Sequence, residues 1–182
     1  MKKLIFLLTI PIFLLLASYT FDISKSKAVG PPTVVDLSDG VLTINGVALV
    51  KPMTIQQYES ILGKADKVYP LSNTIHTYNN RGMILYQTPG EDEVLAFNMY
   101  YGKAKVSFMP KNLFNGTLTI NGLTITPDLS ESEIVKLLPQ YNFVESYGYK
   151  RGAYMGMYVF LNYDRKKGKL KYVNIGYNLE GD

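Results

Sequence analysis

Alternating apolar and polar positions predict β-strands along most of the chain, with two short stretches of helical spacing between them. Residues 41–50, VLTINGVALV, alternate around an Asn-Gly pair, and residues 117–126, TLTINGLTIT, do the same. Because Asn-Gly tolerates the positive φ angles of a type I′ turn, each stretch predicts a β-hairpin. After each hairpin, apolar residues recur three and four positions apart, which predicts a short amphipathic helix.

Both predicted helices begin with the same kind of capping residue. Thr54 and Ser130 are N-cap candidates, and Gln57 and Glu133 lie three residues later, where a capping box is closed. Helices this short are not stable alone. We therefore expect each helix to pack on a sheet.

The second series of elements repeats the first in a constant register, and its two beginnings are marked by the words LTINGV, from Leu42, and LTINGL, from Leu118. About three strands are predicted after each helix. The pattern predicts an α+β fold of two tandem β-β-α-β-β-β repeats, each a short helix packed on one face of an antiparallel sheet. The predicted repeats cover residues 37–106 and 113–180, and residues 29–36 and 107–112 are predicted linkers.

The N-terminal segment, residues 1–28, has the features of an export signal. Lys2 and Lys3 precede an apolar run, and small residues follow near Ala28. Two alternatives remain open for residues 1–28: a cleaved signal peptide that leads to a periplasmic or exported protein, or an uncleaved inner-membrane anchor formed by residues 4–21. The chain has no cysteine, which excludes disulfides, thiolate metal sites and a lipid-bearing cysteine.

Composition and charge narrow the class of partner. With 47% hydrophobic and 19% charged residues, the chain has a globular composition. Its net charge is +4, but residues 1–28 carry four lysines and one aspartate, so the remainder has a net charge of only +1. Nucleic-acid binding needs a dense basic face. We therefore predict no nucleic-acid partner, and membrane contact only through an uncleaved N-terminal segment, if at all.

The sequence offers no catalytic constellation. The single histidine, His76, lies in the strand-like TIHTY, and a packed strand residue is a more common role for it than catalysis. Motifs for a serine nucleophile, a P-loop or a dinucleotide site do not occur. We therefore predict that the chain is not an enzyme and that it binds no cofactor and no metal.

Two predicted turns carry opposite charges at equivalent positions of the repeats. The acidic turn has Glu91, Asp92 and Glu93, and the basic turn has Arg165, Lys166, Lys167 and Lys169. Solvated turns are the ordinary interpretation of both. The alternatives are a divalent-ion site at the acidic turn, and attraction of a polar partner or a neighbouring copy by the two charges.

One face of the predicted sheet is rich in tyrosine. Alternation assigns the apolar side, with Phe97 and Val173, to the helices, and the aromatic and asparagine side chains to the other side. Cross-strand pairing of aromatic residues stabilises a sheet without any partner, whereas clustered tyrosines are typical of protein interfaces. The candidate protein-binding residues are Tyr86, Tyr100, Tyr154, Tyr158, Phe160 and Tyr172.

Over about residues 37 to 178 the layout resembles known families. Tandem helix-on-sheet units in an exported chain resemble β-lactamase inhibitory protein and the outer-membrane assembly lipoprotein family. The LTING hairpin, the capped helix and the GMILY strand are similar to bacterial repeat domains associated with toxin-immunity loci. The resemblance implies an open sheet face that clamps another protein, although this chain lacks the cysteines of the first two families.

The expected function is therefore that of an exported protein-binding module. As an inhibitor or immunity protein, it would occlude a toxin, a hydrolase or an envelope component through the tyrosine-rich face. The alternative is a non-enzymatic structural or assembly component of the bacterial cell envelope.

Overall fold

The computed structural model describes residues 32–146 and 148–177, so the predicted signal or anchor at residues 1–28 lies outside the described residues. Within them the chain is mostly β, with thirteen strands and two α-helices. The elements are β1 (Val34–Ser38), β2 (Val41–Ile44), β3 (Val47–Ala48), α1 (Ile55–Leu62), β4 (Lys67–Pro70), β5 (Thr74–Tyr78), β6 (Met83–Gln87), β7 (Val94–Tyr100), β8 (Thr117–Ile120), β9 (Leu123–Ile125), α2 (Glu131–Leu137), β10 (Val144–Ser146), β11 (Tyr149–Tyr154), β12 (Met157–Asp164) and β13 (Lys169–Tyr177).

The strands form two sheets. The small sheet has the order β3-β2-β1-β8-β9, and the large sheet has the order β10-β11-β12-β13-β7-β6-β5-β4. Strands β1 and β8 are parallel, and the pairs of the large sheet are antiparallel. The sheet-dominated α+β class is as predicted. In detail, four strands rather than three follow each helix, and the Asn-Gly hairpins join a separate small sheet, which hydrophobic alternation does not reveal.

Strand β1 is the centre of the small sheet, although it begins at Val34, inside the predicted linker 29–36. Both Asn-Gly turns hold it. The backbone N–H of Val34 donates to the Asn45 side-chain oxygen at 2.9 Å, and that of Asp39 donates to the Asn121 side-chain oxygen at 3.3 Å. The repeated asparagine therefore fixes the strand between the two hairpins as well as forming its own turn.

The two helix starts are capped differently. Ser130 and Glu133 form the predicted capping box of α2. Thr54 accepts a hydrogen bond from the backbone N–H of Gln57, but the Gln57 side chain binds both the N–H and the C=O of Val50, each at 3.0 Å. The capping box predicted for α1 does not form, because the free backbone groups of Val50 take the Gln57 amide.

One hydrophobic core lies between the two sheets and includes the inner faces of both helices. Its fully buried members include Leu42, Ile44, Leu118, Ile120, Ile134, Phe97, Met99, Val173 and Ile175. The apolar side of the large sheet thus faces the helices, as alternation predicts. The other side of the large sheet is left for different contacts.

Candidate functional site

The outer face of the large sheet is covered over one half. The segment 104–109, which we call the cover, lies over β5, β6 and β7, where the backbone C=O of Phe108 accepts a hydrogen bond from the Thr77 hydroxyl at 3.0 Å. Ala104, Phe108 and Met109 pack against a second buried cluster made of Ile75, Ile84 and Tyr100. Part of the predicted linker 107–112 therefore belongs to the cover.

The uncovered half of this face contains a shallow cleft of about 300 Å³. We call it the aromatic cleft. Its lining consists of Tyr86, Asn98, Tyr149, Phe160, Tyr172 and Asn174. Four aromatic rings around two amides form a largely apolar recess with a few polar groups, which is the usual composition of a ligand or side-chain pocket.

Two asparagines form the floor of the aromatic cleft. Asn98 lies opposite Asn174 in the antiparallel pairing of β7 with β13, and the Asn174 amide donates to the Asn98 side-chain oxygen at 2.5 Å. The Asn98 amide donates to the hydroxyls of Tyr86 at 3.0 Å and Tyr100 at 3.1 Å. A shift of one residue in this pairing would turn an asparagine into the apolar core, so the pair helps to fix the register.

Packed rings form the walls of the cleft. The rings of Tyr172 and Tyr100 lie 5.3 Å apart, and those of Phe160 and Tyr158 lie 5.3 Å apart at 87°. The guanidinium of Arg151 lies 5.5 Å from the centre of the Phe160 ring. These tilted, edge-to-face and cation–π arrangements hold the rings in place before any partner binds.

The phenols of Tyr86 and Tyr172 remain protonated at neutral pH. Burial, followed by the neighbouring Tyr100, raises the pKa of Tyr86. Burial, followed by the neighbouring Tyr149, raises the pKa of Tyr172. Both hydroxyls are therefore hydrogen-bonding groups rather than anions under ordinary conditions.

The structure brings most of the predicted binding residues to this half of the sheet. Tyr86, Phe160 and Tyr172 line the aromatic cleft. The ring of Tyr158 lies beside the cleft, over Gly176, in the space that a side chain would fill. Tyr100 lies on the same face but is only 2% exposed, because the cover and Tyr172 enclose it.

The placement predicted for Tyr154 is wrong. Its ring packs 5.6 Å from that of Tyr141, on the core side of the sheet. Met155 and Gly156 both have positive φ and form a two-residue turn, so Tyr154 pairs with Met157 and shares its side. Alternation counted through this turn, as if the segment were one strand, gives Tyr154 the opposite side.

The same turn explains why sequence reasoning missed two further residues of the site, Tyr149 and Arg151. Both lie on β11, where Arg151 pairs with Phe160 of β12 on the open face. Recognition of Met155–Gly156 as a tight turn would have indicated their position, because glycine favours the positive φ that such turns require.

A second cleft of about 730 Å³ adjoins the aromatic cleft and shares Tyr149 with it. We call it the basic cleft. It is lined by Lys105, Gly148, Tyr149, Asn162, Tyr163, Asp164, Arg165, Lys166 and Lys171. Part of the predicted basic turn thus forms one wall of a concave surface.

Some charges of the basic turn are paired with carboxylates and others are not. Arg165 lies 3.8 Å from Glu145, and Lys169 lies 3.0 Å from Asp128. The Asp164 carboxylate accepts hydrogen bonds from the backbone N–H groups of Lys166 and Lys167. Desolvation acts to raise the pKa of Asp164, but these hydrogen bonds and the nearby charge of Lys171 lower it. Among the residues that the structure describes, Lys105, Lys166 and Lys171 have no carboxylate within 4.0 Å.

Two of the remaining candidates for chemistry, His76 and Glu93, have side chains that make hydrogen bonds within the fold. His76 is 7% exposed, and its Nε2 lies 2.5 Å from the Gln87 side-chain oxygen. In the acidic turn, the Glu93 carboxylate accepts from the Tyr177 hydroxyl, and the backbone C=O of Asp92 accepts from Ile55 at 2.7 Å. Across residues 32–146 and 148–177, no three histidine, cysteine, aspartate or glutamate side chains are grouped as metal ligands.

In the described part of the chain, no helix has the length and apolar character needed to cross a bilayer.

A family model matches the chain over residues 34–135, from β1 into α2. The family is described as a domain of unknown function (DUF7738). Since the match spans more than half of the chain, the chain belongs to this family. No curated protein matches it by sequence.

Two solved structures share part of the arrangement. An extracellular protein containing a SCP domain from Bacillus anthracis str. Ames has 10% identity and a TM-score of 0.47, with 69% of this chain and 43% of that chain covered. A cysteine-rich secretory protein from Staphylococcus aureus subsp. aureus Mu50 has 16% identity and a TM-score of 0.37, with 71% and 44% covered. This chain spans less than half the length of either protein, and likenesses this low carry no argument about function.

Proposed function

We propose that this DUF7738 member is an exported protein-binding module that occludes a partner protein, as an inhibitor or immunity protein does. The binding surface is the uncovered half of the large sheet. The observation that carries the proposal is the aromatic cleft, whose rings stay accessible while the chain covers the other half of the same face.

The composition of this surface supports protein binding. Tyrosine and phenylalanine offer large contact areas with little side-chain entropy to lose, and tyrosine and arginine are enriched at the energetic centres of interfaces. Hydrogen bonds and ring contacts already hold Tyr86, Tyr172 and Phe160 in place. A preorganised surface loses less entropy on binding, which favours affinity.

A tandem origin of the two halves is part of the proposal. Each half has a hairpin, a helix and four strands, and Asn98 and Asn174, which match in the register of the repeat, meet where the halves join. The halves differ where the cover lies, so binding would depend on the differences and stability on the shared elements. Export through the segment 1–28 would place the module where envelope or secreted proteins are its partners.

The test compares capture by the full-length chain and by two variants. Phe160→Ala with Tyr172→Ala removes two walls of the cleft, and Leu137→Ala removes an exposed side chain from α2, on the other side of the sheet. The immobilised proteins are incubated with the secreted and envelope proteins of the source organism. Captured proteins are quantified by mass spectrometry, and each candidate is purified and titrated by calorimetry.

We expect one partner that wild type and Leu137→Ala capture equally and that the double variant does not. Loss of two interface aromatics should weaken the purified complex by about 30-fold or more. Thermal melting checks that the double variant is folded. Equal affinity of wild type and a folded double variant would exclude this face, and recovery of a multiprotein envelope assembly would favour the structural alternative.

A further inference from the structure

The open aromatic surface is small for a stable protein complex. Its side chains lie on β11, β12, β13, β7 and β6, at no more than about three outward positions on each strand. At ordinary strand spacing and rise this is about 24 Å by 20 Å, or about 500 Å². A stable interface takes about 800 Å² from each partner, so a partner seated here must also contact the adjoining surface.

The basic cleft is the adjoining surface. Tyr149 belongs to both clefts, and its ring lies 6.5 Å from that of Tyr172, so the two clefts form one continuous depression. Lys105 and Lys171 on its walls have no carboxylate within 4.0 Å among the described residues. The lining of the basic cleft carries four basic side chains and one carboxylate, that of Asp164, so its charge is predominantly positive. A concave surface with an excess of one charge raises the local concentration of oppositely charged groups.

The acidic turn and the basic turn lie at opposite ends of the central strands of the large sheet. Strands β7 and β13 are antiparallel, so the acidic turn that precedes β7 and the basic turn that precedes β13 lie at opposite ends of the sheet. The basic end is continuous with the aromatic cleft. Positive charge therefore lies on one side of the aromatic cleft. A bound peptide with carboxylates at one end would take the orientation that places them on that side.

We propose that the partner presents an acidic peptide segment to this surface. An apolar or aromatic side chain enters the aromatic cleft, and aspartate or glutamate carboxylates lie beyond Tyr149 against Lys105 and Lys171. Asn174 and the phenols of the cleft supply hydrogen bonds for the peptide backbone. This inference rests on the proposed function and adds the chemistry of the recognised segment.

The aromatic cleft favours a peptide over an anionic polymer. A polyphosphate or a similar chain would gain from the lysines but has no apolar group to fill the aromatic cleft. An acidic peptide uses both surfaces, so its binding must depend on both.

The experiment selects peptides from a random phage-displayed library on the full-length chain. The strongest peptide is synthesised, and its affinity is measured by fluorescence polarisation. Lys105→Gln with Lys171→Gln removes two charges from the basic cleft. As a control, Lys64→Gln with Lys136→Gln removes two exposed charges elsewhere, so this variant has the same net charge as the Lys105/Lys171 variant. Phe160→Ala tests the aromatic cleft.

We expect the selected peptides to contain acidic residues beside one apolar residue. The peptide should bind about tenfold more weakly to the Lys105/Lys171 variant and to Phe160→Ala, and equally to the Lys64/Lys136 variant. Added salt should weaken the wild-type complex.

Several results would overturn the inference. A selection dominated by neutral or basic peptides would contradict it, and equal losses in both lysine variants would show an unspecific charge effect. Sodium polyphosphate that displaces the peptide and binds Phe160→Ala as tightly as wild type would assign the site to an anionic polymer. Multimers in light scattering that Glu91→Gln with Asp92→Gln abolishes would assign it to a second copy. A captured partner with neutral selected peptides would leave the proposed function standing and remove only this inference.

Discussion

Replacement of the two floor asparagines should have unequal costs, although they face each other across one strand pair. Asn98 is 4% exposed and makes three hydrogen bonds, one from Asn174 and one to each hydroxyl of Tyr86 and Tyr100. Each such bond contributes about 1 kcal/mol to stability, and an unpaired buried hydroxyl adds to the loss. We expect Asn98→Ala to cost about 3 kcal/mol and Asn174→Ala about 1 kcal/mol.

Urea unfolding followed by circular dichroism measures both free energies of unfolding, and the double variant completes a mutant cycle. The side chain of Asn174 donates its bond to Asn98, so the double variant should cost little more than Asn98→Ala alone, with a coupling energy of about 1 kcal/mol. Equal costs for the two single variants, or costs that simply add, would refute the hydrogen-bond network as the source of stability at the floor.

Three further predictions concern the stability of the fold at Gly40, at Tyr154 and at the phenols of Tyr86 and Tyr172. Gly40 and Gly46 both have positive φ, but a Cβ at Gly40 would lie 2.6 Å from the Met155 carbonyl oxygen, whereas one at Gly46 would meet nothing within 4 Å. Gly40→Ala should therefore lower the melting temperature more than Gly46→Ala. For Gly46→Ala we expect a loss of about 1 kcal/mol in the free energy of unfolding. Tyr154→Ala should destabilise the fold by about 2 kcal/mol, because its ring packs on Tyr141, and should leave partner affinity unchanged in calorimetry. Burial raises the pKa of Tyr86 and Tyr172 above the value of 10.0 for a free phenol. Their contribution to stability is therefore complete below pH 10 and is lost as the pH rises further. Urea titrations between neutral and alkaline pH should show this fall in the free energy of unfolding, and the fall should be smaller for Tyr86→Phe.

Local signals in the sequence were sufficient for the two Asn-Gly hairpins, for the starts of both helices and for the apolar side of the large sheet. The Asn-Gly pairs, the capping residues and the alternation of Phe97 and Val173 depend on near neighbours in the chain, and each predicted its element or side. The partners of the hairpins could not be predicted in this way. The parallel pairing of β1 with β8 joins two strands that lie far apart in the sequence, and no local pattern specifies it.

The candidate site was predicted in part. Alternation within a single strand placed Phe160 and Tyr172 correctly on the outer face. It failed at Tyr154, where a two-residue turn interrupts the count, and it could not show that residues 104–109 bury Tyr100. Coverage of a surface by a distant segment is a tertiary property, so the extent of the open face was not available from periodicity.

Under the proposed tandem origin, the cover accounts for the different residues at one pair of matching positions, Ile84 and Phe160. Ile84 of β6 pairs with Asn98, and Phe160 of β12 pairs with Asn174, so the two occupy corresponding places beside the floor. Ile84 is fully buried beneath the cover, where an aliphatic side chain packs well, whereas Phe160 is partly exposed on the wall of the aromatic cleft. An exchange of Phe160 for isoleucine should therefore keep the fold and lower partner affinity. The proposed binding surface therefore lies on the part of the large sheet that the cover leaves open.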